Sequence, residues 1–231
     1  GAAWVFTRSG GLWTQQGSKL VGTGAVGAAW QGYSVSISSD GNTAIVGGPF
    51  DSSNAGAAWV FTRSGAVWTQ QGNKLVGNDA VGAAWQGRSV SLSADGNTAI
   101  VGDNSDNAFA GAAWVFTRSG GMWTQQGSKL VGTGAVGSAR QGYSVSLSAD
   151  GTTVILGGVN DISDGAAWVF TRSGGMWTQQ GSKLVGTGAV GNARQGSSVS
   201  LSADGNTAIV GGSFDSSIAG GKTDADGGRN K

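Results

Sequence analysis

Short runs of alternating apolar and polar residues dominate this chain, and they predict strands. In Ala3-Trp4-Val5-Phe6-Thr7, Trp4 and Phe6 fall on one face of a strand and Ala3, Val5 and Thr7 on the other. Arg8-Ser9-Gly10-Gly11 reads as a turn, and Leu12-Trp13-Thr14-Gln15-Gln16 as the second arm of a hairpin. After a Gly- and Ala-rich connector from Val21 to Gln31, Tyr33-Ser34-Val35-Ser36-Ile37-Ser38 alternates again. Asp40-Gly41 predicts a tight type I′ turn, since Asp and Gly tolerate the positive φ it needs, and Thr43-Ala44-Ile45-Val46 is the returning strand. Helix signals are absent throughout.

This pattern repeats. Trp-Val-Phe begins at Trp4, Trp59, Trp114 and Trp168, at intervals of 55, 55 and 54 residues, and the Asp-Gly turn recurs as Asp95-Gly96, Asp150-Gly151 and Asp204-Gly205. A period near fifty residues points to a propeller or a similar array whose units share a core with their neighbours. Each unit holds four short strands, the strand count of one propeller blade. The phase predicts three continuous blades, at about 33–76, 88–131 and 143–185, and a composite fourth. In that fourth blade the hairpin at 197–212 pairs with residues 1–20 and closes a four-bladed, all-β ring. Residues 1–220 then form a single domain, and 221–231 a solvated tail. Because Gly1 lies inside a repeat, the chain is expected to be processed or excerpted from something longer.

Composition narrows the chemistry. The chain contains neither His nor Cys, all thirteen acids are Asp, and the formal net charge is +1. Thiol chemistry, disulfides and His-based acid–base catalysis are therefore excluded. The Asp residues follow the repeat into every unit, as structural turn residues do, so the expectation is that the chain is not an enzyme. Nothing in the charge pattern suggests nucleic acid, and no apolar run approaches the ~18 residues of a membrane span. Near the C-terminus, Gly221-Lys222-Thr223 and Asp224-Ala225-Asp226-Gly227 only partly match a phosphate loop and a calcium loop.

The units, with Gly-Ala-Ala-Trp-Val-Phe, Trp-Thr-Gln-Gln followed by Lys-Leu, Gln-Gly-Tyr-Ser-Val and Ile-Val-Gly-Gly-Pro, resemble the FG-GAP repeat. That family builds the β-propeller of integrin α chains and of many bacterial surface proteins. The resemblance covers the chain to about residue 219, with Gln31-Gly32, Gln86-Gly87, Gln141-Gly142 and Gln195-Gly196 in place of Phe-Gly. It implies an extracellular or cell-surface binding or adhesion module. Family members often bind calcium through Asp-x-Asp-x-Asp-Gly loops, but one carboxylate per turn here supplies too few oxygens, so no cofactor or metal is expected. Family propellers commonly have seven blades; four units with complementary ends favour a four-bladed ring, although two chains could exchange hairpins into an eight-bladed one.

Eight of the ten Trp residues recur at strand positions and are expected between blades. Trp30 and Trp85 lie in connectors and give way to Arg140 and Arg194 in later units, which marks them as candidate ligand contacts, since an indole face suits a sugar ring. Asp51, Asp106, Asp161 and Asp215 share one position in the loop after the second strand. They are candidates to accept hydrogen bonds from ligand hydroxyls, or else loop caps bonded to their own backbone. Gln15-Gln16 and its copies could bond a sugar too. The expected partner is a glycan or a protein surface, bound in a lectin-like way at several weak sites. The rival expectation is a purely structural scaffold or assembly-forming repeat protein, natural or designed.

Overall fold

The computed structural model describes residues 1–162 and 164–216; the two tail motifs lie outside them. Among the described residues are sixteen strands, in antiparallel hairpins that follow the chain. A first hairpin, β1 (Phe6–Ser9) and β2 (Leu12–Gln15), forms a two-stranded sheet. Three four-stranded blades come next. The first is β3 (Ser34–Ile37), β4 (Thr43–Gly48), β5 (Ala57–Ser64) and β6 (Val67–Gln70), and the second is β7 (Ser89–Leu92), β8 (Thr98–Asp103), β9 (Ala112–Ser119) and β10 (Met122–Gln125). In the third are β11 (Gln141–Leu147), β12 (Thr153–Gly158), β13 (Ala166–Ser173) and β14 (Met176–Gln179). A last hairpin, β15 (Gln195–Leu201) and β16 (Ala208–Gly212), is again two-stranded. Within each blade the strands pair in chain order, so the Trp-Val-Phe segment is the third strand.

Why these segments become strands is clear from what covers them. β5, β9 and β13 are buried on both faces: the indoles of Trp59, Trp114 and Trp168 are fully buried, and so are Ala58, Val60, Ala113 and Val115. Alternation therefore sorts residues toward one neighbouring blade or the other rather than toward core or solvent. Ile45 and Val60 of the first blade share a cluster with Val90, Leu92, Val101 and Trp114 of the second, and Ile100 and Val115 do the same with Leu147, Leu156 and Trp168 of the third. Each indole lies over a connector glycine. A Cβ on Gly22, Gly77 or Gly132 would stand 2.0, 2.2 or 2.1 Å from a ring carbon of Trp59, Trp114 or Trp168. Only glycine permits that approach.

Three features depart from the sequence expectation. First, the Asp-Gly turn is not type I′: the Gly41 N–H donates to Ser38 O, and Gly41 (φ 68°) is left-handed while Asp40 is not. Asp40 works through its side chain, taking the Ser38 hydroxyl and the Asn42 N–H on Oδ1. Second, the loops after β4 and β8 contain one helical turn each, Asp51–Asn54 and Asp106–Phe109, with left-handed residues such as Ser52 (φ 52°) and Asn107 (φ 49°). Third, the terminal hairpins do not complete a common blade, so the expected closed four-bladed ring is not formed here. Each is fixed to its own chain neighbour. Ala3 bridges Leu20, Ala3 and Val5 pack on the first blade's cluster, and Leu201 donates its N–H to Ser146 on β11. These local seams hold the two hairpins at opposite ends of the stack.

Candidate binding face

Antiparallel pairing brings the loop between the second and third strands of each blade to the same end as the connector entering that blade. In the first blade, Phe50 and Ser52 donate backbone N–H groups to Ala29 O and Val26 O. The Asp-Gly turns lie at the other end of the strands. The face of loops and connectors holds Trp30, Trp85 and the loop Asp series, whereas Gln16 and Gln71 lie toward the turns, where Arg63 and Arg118 each bond one of them together with Asn42 or Asn97.

The repeated loop carboxylates are latches. Asp51 accepts the Val26 N–H on Oδ1 (2.7 Å) and the Lys74 ammonium on Oδ2. Asp106 does the same with Val81 (2.6 Å) and Lys129 (2.6 Å), and Asp161 with Val136 (2.6 Å) and Lys183. All three carboxylates are buried, so they join the loop to the connector and to the segment that follows the outer strand instead of facing solvent. Asp215, the fourth of the series, is exposed, and its neighbour Ser216 donates its N–H to Val190 O. The glutamines are also internal fittings. Gln16, Gln71 and Gln126 each accept from an Arg and a Trp of the next blade, as in Arg63 Nη1 (3.0 Å) and Trp68 Nε1 (3.1 Å) on Gln16 Oε1. Gln31, Gln86 and Gln141, at the place of the Phe in Phe-Gly, clamp both backbone groups of Gly22, Gly77 and Gly132. The sequence reading missed this clamp.

Trp30 and Trp85 are brought into one row with two Phe residues. The ring centroids run Trp30 to Phe50 at 4.6 Å, Phe50 to Trp85 at 5.5 Å and Trp85 to Phe109 at 6.4 Å, and Arg140 then lies over Phe109 at 5.1 Å. The strip crosses the first two blades, with Trp30 and Phe109 exposed and Phe50 and Trp85 half-buried. Beside the row are two open hollows at equivalent positions of the units, one lined by Val26, Trp30, Phe50 and Asn54 and the other by Val81, Trp85, Ser105 and Phe109.

Where the inner strands begin, Arg88 is sandwiched between Tyr33 (5.5 Å) and Tyr143 (4.1 Å) and donates from Nη1 to the Tyr33 hydroxyl at 2.5 Å. Asp103, at the end of β8, replaces the glycine found at Gly48, Gly158 and Gly212. Its Oδ1 accepts from the Ser105 N–H, whereas Oδ2 is buried without a partner, as are Asn104 Oδ1, Arg88 Nε and Arg140 Nε. Burial, helped by the nearby Asp106 charge, pushes the Asp103 carboxyl up to about 6. The folded chain thus holds this proton more tightly than the unfolded chain does. The resulting stability is complete below pH 3.8 and is lost as pH rises through about 6. Asp103→Asn should be more stable than the parent at pH 7 by on the order of 2–3 kcal/mol and should lack that slope between pH 4 and 6, as read by urea titration across pH.

The turn carboxylates behave oppositely. Hydrogen bonds from Ser38 and Asn42 hold Asp40 below the usual range, and Ser202 and Asn206 do so for Asp204. Their contribution is present above the normal carboxylate pKa and is lost as pH falls below it. Among the described residues no three His, Cys, Asp or Glu side chains gather as a metal site. No helix there is long and apolar enough to cross a membrane.

No family model matches this chain, and neither does any curated protein sequence. Solved structures do. A protein assigned as a 6-phosphogluconolactonase from Bacteroides uniformis aligns with a TM-score of 0.58 at 15% identity, over 90% of this chain and 57% of that one. Hydrazine synthase from Kuenenia stuttgartiensis aligns at 0.49 and 12% identity (82% and 43% covered), and a protein assigned as TolB from Agrobacterium tumefaciens at 0.43 and 15% (74% and 50%). The chain spans about half the length of these proteins. The likeness to the first of them shows the fold alone: an all-β, propeller-like stack of blades. It also corrects the expectation that the chain is not an enzyme, since the same architecture carries a protein assigned as a lactonase. Lack of His, Cys and Glu does not exclude catalysis on it.

Proposed function

We propose that the loop-and-connector face binds carbohydrate, and that the chain is a binding or adhesion module of the extracellular or cell-surface kind, as its resemblance to FG-GAP propellers suggests. The row Trp30–Phe50–Trp85–Phe109 carries this reading. Rings packed edge to face or tilted, with centroids 4.6 to 6.4 Å apart, form a continuous apolar strip against which sugar rings can lie. Arg140, whose guanidinium lies over Phe109 at the end of the row, supplies hydrogen-bond donors for hydroxyl groups there. The buried ion pairs of Asp51, Asp106 and Asp161 support the row by fixing loop to connector. Because the row is confined to two blades, the ligand it suits is one extended chain of sugars rather than four separate monosaccharides.

A glycan array followed by titration calorimetry tests this. The parent should bind an oligosaccharide, and Trp85→Ala, at the middle of the row, should weaken it five- to thirty-fold, equivalent to about 1–2 kcal/mol. Binding unaffected by Trp85→Ala and Trp30→Ala, or none to any glycan, would sink the reading.

A further inference from the structure

The connector entering the second blade is hydrogen-bonded unlike its three counterparts, and the difference centres on Trp85. In the first, third and fourth units a residue of the loop after the second strand donates its backbone N–H to the connector alanine: Phe50 to Ala29 O (3.3 Å), Asn160 to Ala139 O (3.2 Å) and Phe214 to Ala193 O (3.1 Å). The connector residue that follows each of those alanines is left-handed, Trp30 at φ 56°, Arg140 at 56° and Arg194 at 53°. Trp85 is not left-handed.

Asp103 and Ser105 account for the exception. Asp103 stands where the other units have glycine, and its Oδ1 takes the Ser105 N–H at 2.7 Å. Ala84 O, deprived of that donor, accepts the Gln86 N–H at 2.7 Å instead and closes a three-residue turn around Trp85. With φ outside the left-handed region this is an inverse γ-turn, whose central residue sits at about −75°. The Ser105 hydroxyl completes it, accepting the Trp85 N–H (3.2 Å) while donating to Ala83 O (2.9 Å).

Ring placement follows from the same residues. Trp30 and Arg194 each lie against a Phe of their own unit, Phe50 at 4.6 Å and Phe214 at 4.3 Å. At the place of those two Phe residues the second unit has Ser105, and Trp85 spans two units instead, 5.5 Å from Phe50 of the first and 6.4 Å from Phe109 of its own. Ser105 also holds the next ring, since its carbonyl accepts the Phe109 N–H at 3.1 Å. We infer that Asp103 and Ser105 are positioning residues for Trp85: by turning the connector out of its left-handed form they set the indole between Phe50 and Phe109 and make the row continuous across two blades. The consequence for binding rests on the row being the carbohydrate site; the conformation of Trp85 does not. A buried carboxylate that lowers stability at neutral pH thereby has a task, which is to keep the Ser105 N–H away from Ala84.

Nuclear magnetic resonance on the intact chain tests this without any ligand, because a left-handed residue gives a strong cross-peak between its own N–H and Hα. In the parent, Trp30 should give that peak and Trp85 should not, and the Trp85 indole should show cross-peaks to the Phe50 ring. Asp103→Gly, which places there the residue found at Gly48, Gly158 and Gly212, and Ser105→Ala should each give Trp85 the strong peak and remove its contact with Phe50. Asp103→Asn and Ser105→Thr keep an oxygen acceptor at each place and should preserve the parent's signals. Toward an oligosaccharide that binds the parent, the first two variants should lose about five- to thirty-fold in affinity, as Trp85→Ala does, and the two conservative ones less than about twofold. A left-handed Trp85 in the parent overturns the positioning role. So does a Trp85 that keeps its turn and its Phe50 contact in both Asp103→Gly and Ser105→Ala, even where those variants lose stability. If the ring moves as expected but affinity is unchanged, or the parent binds no glycan, the positioning of Trp85 stands and the carbohydrate reading falls.

Discussion

Replacing Trp114 by Ala should cost about 3–5 kcal/mol, the range for removing a fully buried aromatic side chain from a core that collapses only in part. The site cannot close easily. Trp114 is fully buried between the first and second blades, in one cluster with Ile45, Val60 and Val101, and its Nε1 donates to Asp79 Oδ1 at 2.6 Å. Removing it opens a void against Gly77 and leaves Asp79, which keeps the Lys129 N–H, without its indole donor. Trp13→Ala is the counterpart. That indole is exposed in the first hairpin, and its loss should move the urea midpoint very little. Equilibrium unfolding by urea, followed by Trp fluorescence, reads both.

The second large effect belongs to Lys129→Met. Asp106 is buried, and its Oδ2 faces the Lys129 ammonium at 2.6 Å. Removing one member of a buried pair leaves a charge without compensation, for about 3–5 kcal/mol, far more than an exposed ion pair would give. Pairing the change with Asp106→Asn should recover much of the loss. The amide keeps an acceptor for the Val81 N–H while removing the buried charge. If Lys129→Met alone is nearly neutral in the same unfolding experiment, the latch is not holding loop to connector.

Much of this organisation was legible in the sequence. The repeat placed the strands, and the third-strand role of Trp-Val-Phe followed from order alone. The loop carboxylates were less legible because their partners are distant in the chain. A signal did exist: Lys74, Lys129 and Lys183 follow Asp51, Asp106 and Asp161 at nearly constant spacing, so the two series repeat together. Asp103 was visible as a break in a glycine column, but its burial depends on the connector packed over it. The aromatic row could not be read at all. Phe50 and Phe109 occupy different positions of their units, and only the fold aligns them with Trp30 and Trp85.

The bonds linking the inner turns have one more consequence. From Ser39 to Ala94, Ala149 and Ala203, each link uses a backbone N–H and a backbone carbonyl, so the side chains there are free to vary, and Ser39 stands where the other three units have Ala without effect on the link. Chain length at that point is not free. Every inner turn has the same number of residues, and the one unit that is a residue shorter loses it between Asp150 and Trp168, in the loop joining β12 to β13. The inner edge thus acts as a length gauge for duplication: copies can drift in composition along it, while the one deletion falls on the opposite face, where loop length can change without disturbing the stack.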